Sequence, residues 1–465
     1  MATQFEIDCA LMAGGAYLSN RSDINKFPVP QGWISVPDSH VEGGMGFEAM
    51  SFRRGNEIVI SFAGTNSDAS SLDGIADRAA DALMAAGLGS QQLLQAAVYY
   101  LQIKAANPGA TITFTGHSLG GGLAALMGVL FDEKAVTFDQ APFALSANAF
   151  VRGAILTELH RQGYTDAQLE ILAPGLMHFE DSASRVGNVS GYFVAGELLH
   201  TAPYSGFSTL GQPLSLAQGA GETVDAGDLH SQALLTAFLQ NDGLRQSTYQ
   251  LPDLLKVVFD GKLYALPVNK ADPNFLELLL RHENGVSGSM AADGMLTHFS
   301  ADLQKLGTTV AGLSVAAQDA LMAQGIEWYY WQDKNYTSGE FFTQSGALLQ
   351  YTTAQGAGFA QAENRASIYV DAWLTPIFNA HGEFGGQHNF AQWNVNTGTL
   401  DETGQLADVN LSADTFHRQF PDSITPTAQT AALPDMRGSG EVREHVSGDL
   451  LEVEAANADV WELAA

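Results

Sequence analysis

The stretch TITFTGHSLGGGLAAL, residues 111–126, sets a β-branched run directly against a glycine-rich turn and then a run of small and apolar residues. Thr111 to Thr115 reads as a buried strand, and the residues from the turn to about Leu130 read as a helix. The chain passes from one to the other through Gly116-His117-Ser118-Leu119-Gly120, a G-x-S-x-G sequence. Glycines two positions either side of Ser118 let the backbone pass close to itself, and the sharp turn leaves the hydroxyl exposed. A serine hydroxyl is a weak nucleophile that needs a base beside it and donors aimed where negative charge develops. The helix begins under Ser118, so the amide of Leu119 and the helix N-terminus point at that place. Gly121, Gly122, Ala124 and Ala125 then let the helix lie close on a sheet. An ordinary glycine-rich turn has no need of this strand before and this helix after, and Ser118 is read as a nucleophile.

Working outward, residues 47–67 (FEAMSFRRGNEIVISFAGTNS) predict two short strands joined at Arg54, Gly55 and Asn56, the second from Ile58 to Phe62. From Ser70 to Gly87 the residues Leu72, Ile75, Ala79 and Leu83 fall on one helical face, with Asp73, Asp77 and Asp81 as a solvated face opposite. A helix follows from Gln91 to Ala106, stopped at Pro108 and Gly109. AVTFDQAPF and SGYFVAGELL, the latter near residue 194, supply two more strands. Strands alternating with helices predict an α/β domain with a mostly parallel sheet covered on both faces.

Past about residue 245 helical segments dominate. One is capped by Asp272 with Pro273 at its first position, and another runs from about Met290 to Ile326 with breaks expected at Gly307 and Gly312. Strand-like runs follow around Phe341 and from Leu348 to Thr353, and Ile424 to Gly438 reads as a linker. The expected division is a catalytic domain over 1–245, an α+β accessory region over 246–423, and a linker and tail over 424–465.

At 465 residues the chain exceeds what one core usually serves. Its net charge of −30 comes from a shortage of bases, which makes nucleic acid and anionic membrane surfaces poor electrostatic partners for the chain as a whole, and no nucleic-acid partner is expected. Cys9 is the single cysteine, so no internal disulfide is available. The first thirty residues lack the form of a signal peptide, and no uninterrupted apolar run reaches the roughly 18 residues of a spanning helix. The expectation is a soluble protein. No HExxH, CxxC, Walker or dinucleotide motif occurs, so the chemistry requires no metal or nucleotide cofactor, while calcium stays open for so acidic a chain.

TFTGHSLGGGLAAL, preceded by IVISFAGTNS and followed by VTFDQAPF, resembles the class 3 (fungal-type) lipase family of α/β-hydrolases over roughly residues 40 to 240. The run from Gly285 to Thr353 is similar to accessory regions of large bacterial lipase-like proteins that continue into calcium-binding repeats. The resemblance implies the chain order Ser, acid, His. His230, opening an amphipathic helix after a glycine-rich acidic loop, stands where the family carries its catalytic histidine. His160, His178 and His200 read as surface or satisfied histidines, His200 matching a non-catalytic histidine just after the family's acid. His117 is expected to point away from the reacting centre.

The acid must hold the imidazole in its working tautomer, so it belongs just past a strand end. Glu197 stands where the family places an Asp, and its longer side chain calls for a slightly retracted backbone. Asp139 is the runner-up, with Asp181 and Asp228 as further candidates. Thr65 matches the family's second oxyanion donor beside Leu119, although Ala63 replaces the usual Arg. Residues 66–88 correspond to the family's lid. Trp328, Tyr329, Tyr330 and Trp331 read as core.

These features together predict a serine carboxylic-ester hydrolase acting on lipid esters, with acylglycerols as the substrates the resemblance implies. Within the same chemistry the alternatives are a phospholipase A1 or a lipolytic toxin, and from another class an inactive hydrolase-fold binding module. Secretion without an N-terminal signal is the expected destination, with the cytoplasm as the alternative.

Overall fold

The computed structural model describes residues 2–19, 26–64, 91–201, 207–219, 224–260, 275–285 and 294–309, short pieces between 314 and 326, and 392–394 with 399–401. Helix α1 (Gln4–Gly15) opens the chain, started by a capping box in which the Thr3 hydroxyl accepts from the Glu6 amide and the Glu6 carboxylate accepts from the Thr3 amide. Strands β1 (Ile34–Ser35), β2 (Val41–Glu42), β3 (Glu48–Arg54) and β4 (Glu57–Phe62) follow. β3 and β4 form the expected hairpin, Arg54 opposite Glu57, with Gly55 and Asn56 as its two-residue loop. Then come α2 (Gln91–Ala106), β5 (Thr111–His117), α3 (Leu119–Phe131), β6 (Lys134–Phe138), α4 (Ala149–Arg161), β7 (Val189–Val194), β8 (Gln212–Leu216) and α5 (Gln232–Gln240).

The sheet runs β1-β3-β4-β5-β6-β7-β8, with β2 also paired to β3. β4 through β8 are parallel and the first three strands antiparallel to their neighbours, so the predicted mostly parallel α/β sheet is observed in mixed form. Side-chain alternation assigns its faces. Ile58, Ile60, Phe62, Ile112 and Phe114 enter one core with Tyr100 of α2 and Leu123, Leu126 and Phe131 of α3. Ring contacts run through this core from Phe62 to Phe114, Phe114 to Tyr100 and Tyr100 to Phe131, with centroids 5.9, 5.4 and 4.8 Å apart. Each such pair contributes about 0.5–1.5 kcal/mol beyond its area.

The intervening residues meet α1. The Ser61 hydroxyl donates to the Met12 carbonyl at 2.9 Å, and the Thr115 hydroxyl, 3.3 Å from the Cys9 carbonyl, donates to the Val136 carbonyl at 2.8 Å, which satisfies polar groups that burial would otherwise leave costly. Gln232 of α5 donates to the Ala10 carbonyl at 2.7 Å, tying α5 to α1. Helices thus flank the sheet, and the carboxyl ends of β4, β5, β6 and β7 share one edge. Ser118, Asp139 and Glu197 all follow strand ends at that edge.

The chain divides into two units, Met1–Gln218 with Val224–Asp242, and Gly219–Thr223 with Gly243–Ala465. In the second, helices Phe275–Asn284 and Met295–Thr309 pack through an edge-to-face contact of Phe275 and Phe299, centroids 5.1 Å apart. The break expected at Gly307 is absent, because the helix runs through it. A Cβ on Gly307 would lie 2.9 Å from the Gln250 Cβ, so the glycine serves a close approach and not a helix end. The helix expected to follow Asp272 is described from Phe275 to Asn284, while its cap residues 272–274, the expected helix at 70–87, Gly312, the aromatic run at 328–331, the strands at 341 and 348–353, and the linker at 424–438 lie outside the described residues. Among the described residues no helix is long and apolar enough to cross a membrane.

Candidate active site

Ser118 is the residue between the last residue of β5 and the first of α3, with φ 57° and ψ −125°, a conformation that costs a non-glycine residue about 1–3 kcal/mol. Its neighbours hold it there. The Ser118 amide donates to the Phe138 carbonyl at 3.0 Å, while its carbonyl accepts from Gly122 at 3.0 Å and Ala141 at 2.9 Å. A Cβ on Gly116 would meet the Gly120 carbonyl oxygen at 2.4 Å, and one on Gly120 would meet that of Phe62 at 2.1 Å. The two glycines are therefore what lets the turn close. Leu119 opens α3, whose first amides have no acceptor within the helix. On the other side Gly64 packs in so tightly that a Cβ there would stand 3.2 Å from that of Ser118. Thr65 and residues 66–88 lie outside the described residues.

His230 ends the short helix Ala226–Leu229, which Asp225 caps by accepting from the Gly227 amide. Its ring is buried, with Nε2 at 2.9 Å from the Ser118 hydroxyl and Nδ1 at 2.5 Å from Oε2 of Glu197. Glu197 is fully buried. It lies three residues past the end of β7, after Gly196 with φ 83°, where the chain has already turned back. The Glu197 amide closes that turn by donating to the Val194 carbonyl at 3.1 Å. Its oxygens accept from the Leu199 amide at 2.9 Å, from His230 Nδ1 and from His200 Nδ1. Burial alone would raise the Glu197 pKa, but the hydrogen bonds from His200 and His230 prevail and hold it at about 2.

Asp139 occupies the neighbouring strand end in the opposite condition. It is fully buried, strained at φ 41°, and accepts the Val194 amide on Oδ1 at 3.0 Å, while Oδ2 has no hydrogen-bond partner. Burial first, and then the charge of Glu197, push its carboxyl well above the usual range. It makes no hydrogen bond to His230, whereas Glu197 does. Asp181 is exposed and caps the Ala183 amide, and Asp228 sits on the helix before His230 with its pKa raised by burial and by Asp225.

The surface histidines behave as expected in two cases, His160 pairing with Asp166 and His178 with Glu170. His117 departs from expectation. Its ring centroid is 4.8 Å from that of His230, and its Nε2 donates to the His230 carbonyl at 3.0 Å, which a carbonyl can only accept. Nδ1 faces the Tyr17 hydroxyl at 3.1 Å. His117 thus holds the backbone of His230 instead of turning away from Ser118. Nothing near His117 in the sequence marks Tyr17, 100 residues earlier, as its partner.

His117, Asp139 and His230 bring donor atoms within 4.8 Å of one another, as do His40, Glu42 and Glu48. In the first group His230 is already engaged by Ser118 and Glu197; in the second, Glu48 accepts from the Leu18 and Ser19 amides and pairs with His40 at 2.8 Å. Chemically, the serine hydroxyl, imidazole and ionised carboxylate in series can move a proton off the hydroxyl while the carboxylate holds the imidazole in place.

Residues 10–242 match the phospholipase-like family described as a Tle-like phospholipase domain. The match takes in half of the chain, including Ser118, Glu197 and His230. No curated protein matches the chain by sequence.

Proposed function

The chain belongs to the Tle-like phospholipase family, a family of lipolytic hydrolases, and from that premise we propose that it cleaves the carboxylic esters of phospholipids through an acyl-enzyme on Ser118. The observation that carries this reading is the hydrogen-bonded series Ser118 Oγ, His230, Glu197, with contacts of 2.9 and 2.5 Å. In the proposed α/β-hydrolase mechanism Ser118 Oγ attacks the ester carbonyl as His230 Nε2 takes its proton. Glu197 keeps the Nδ1 proton in place and offsets the imidazolium charge. The Leu119 amide, with Thr65 as second donor, holds the oxyanion. His230 then gives its proton to the departing alcohol, here a lysophospholipid. Water, deprotonated by the same imidazole, cleaves the acyl-enzyme and releases the fatty acid.

The motifs around Ser118 resemble class 3 lipases, whose acylglycerol substrates need the same chemistry, so headgroup choice is what the experiment must separate. Intact chain, Ser118→Ala and His230→Ala are assayed on p-nitrophenyl esters of rising acyl length, on phosphatidylcholine vesicles and on emulsified triacylglycerol. The reading expects phospholipid turnover in the intact chain and a loss of about 10⁴-fold or more in kcat for both variants. Turnover of triacylglycerol alone would transfer the protein to the lipase reading. A folded chain inert on all three would leave the binding-module alternative standing.

A further inference from the structure

Glu197 carries an imidazole on each of its oxygens, and only one of the two touches the serine. A glutamate has one more rotatable bond than an aspartate, so its carboxylate is freer to swing off the base unless its second oxygen is fixed. His200 meets that oxygen. It ends the 3-10 turn Leu198–His200 that Glu197 itself starts, and its amide donates to the Glu197 carbonyl at 3.2 Å. Its ring lies flat on Phe193 of β7, with centroids 3.9 Å apart and planes 5° from parallel. The ring is thus fixed by stacking below and by the turn behind, and Nδ1 reaches Oε1. A carboxylate oxygen can only accept, so Nδ1 carries the hydrogen whether or not His200 is charged.

We propose that His200 is a positioning residue: by fixing the rotation of the Glu197 carboxylate it keeps Oε2 on Nδ1 of His230. The proposal rests on the reading of Ser118, His230 and Glu197 as a triad. The titratable groups that face the carboxylate are His230 from the turn before α5, His200, and Asp139 from the end of β6, with His117 behind Asp139 and His230. Asp139 accepts the Val194 amide on Oδ1 and makes no hydrogen bond to His200 or Glu197, and burial, then the charge of Glu197, raise its pKa.

The test compares the full chain with His200→Phe, His200→Asn and His200→Gln on a soluble short-chain p-nitrophenyl ester across pH, with thermal melts alongside. Asn carries an amide N–H near the place of Nδ1 and Gln carries it one bond further out, so general damage falls on both while the clamp returns only with Asn. The Phe and Gln variants are expected to lose about tenfold to a hundredfold in kcat, the scale of a misplacement of about 1 Å. KM should stay within about twofold. The acid limb of kcat/KM should shift in the Phe and Gln variants, whose carboxylate is no longer fixed, and Asn should recover most of kcat. An unchanged kcat in the Phe variant, or equal losses in Asn and Gln with an unmoved acid limb, overturns the proposal. Proton NMR supplies a readout that needs no turnover. Hydrogen-bonded imidazole N–H protons from His200 and His230 should stand far downfield in the intact chain and both vanish in Glu197→Ala. If the His230 resonance is unchanged in His200→Gln, the clamp fails; if the intact chain is inert on esters yet that resonance shifts, the functional reading fails and the clamp stands.

Discussion

Two buried carboxyls stand beside one imidazole, and their surroundings drive them in opposite directions. Glu197, with three donors, is held ionised at about 2, while Asp139, with one donor and the charge of Glu197 nearby, is pushed up. Glu197→Gln should therefore cost about 10⁴-fold in kcat, as loss of the orienting acid does in serine hydrolases. Asp139→Asn, which keeps the acceptor for the Val194 amide, should stay within about tenfold of the intact chain. Steady-state kinetics on a soluble ester decides, and the reverse order would move the acid role to Asp139. Stability should split the same way. The Glu197 pKa falls on folding, so its contribution is complete above about 4.5 and is lost as pH falls toward 2. That of Asp139 rises on folding, so its contribution is complete below about 3.8 and is lost as pH climbs toward its raised value. Urea unfolding across acid and neutral pH should show Asp139→Asn gaining on the intact chain as pH rises, and Glu197→Gln losing ground over the same climb.

The strand, turn and helix around Ser118 form one element in which local sequence and tertiary packing agree. Its strain is stored at Ser118, where only a glycine would be relaxed, so Ser118→Gly should unfold at higher denaturant than Ser118→Ala by about 1–3 kcal/mol. Gly120→Ala should do the opposite, since its Cβ would stand 2.1 Å from the Phe62 carbonyl oxygen; a loss above about 3 kcal/mol, or failure to fold, is expected. At Gly153 in α4 an added methyl group would find no atom within 4 Å, so Gly153→Ala should instead stabilise by about 0.4–1 kcal/mol. Calorimetric melts of the four variants would order them. The same contrast explains what is legible in the sequence. Gly116 declares itself because the Gly120 carbonyl that crowds it is four positions on, and the same five-residue pattern carries Gly120, although what crowds Gly120 is Phe62 of β4. The hairpin at Gly55 and the helix Gln91–Ala106 are legible for the same reason. The partnership of His117 with Tyr17 and with the His230 carbonyl is not, since it is made by strand order. Gly307 misleads because a helix-breaking residue and one that admits a close neighbour are the same residue. Family position singles out Glu197, whereas its second imidazole contact, to His200, is visible only in three dimensions.

At the scale of the whole molecule the proposed function makes the charge of −30 bear on which lipid surface the chain approaches. Hydrolysis of a phospholipid requires the protein to sit against an interface, and a like-charged interface repels it over the screening length. That length is about 30 Å at 0.01 M salt and about 8 Å at 0.15 M. A zwitterionic surface carries no such net repulsion. Ser118→Ala, which should leave vesicles intact, is therefore expected to bind phosphatidylcholine vesicles more tightly than phosphatidylglycerol vesicles at low salt. The difference should narrow as salt rises, because screening acts on the repulsion and leaves apolar contact largely untouched. Co-sedimentation at both salt concentrations measures this. Tighter binding to the anionic vesicles at low salt would mean that a local basic face meets the lipid and overrides the charge of the chain as a whole, and the surface preference would then have to be sought in that face.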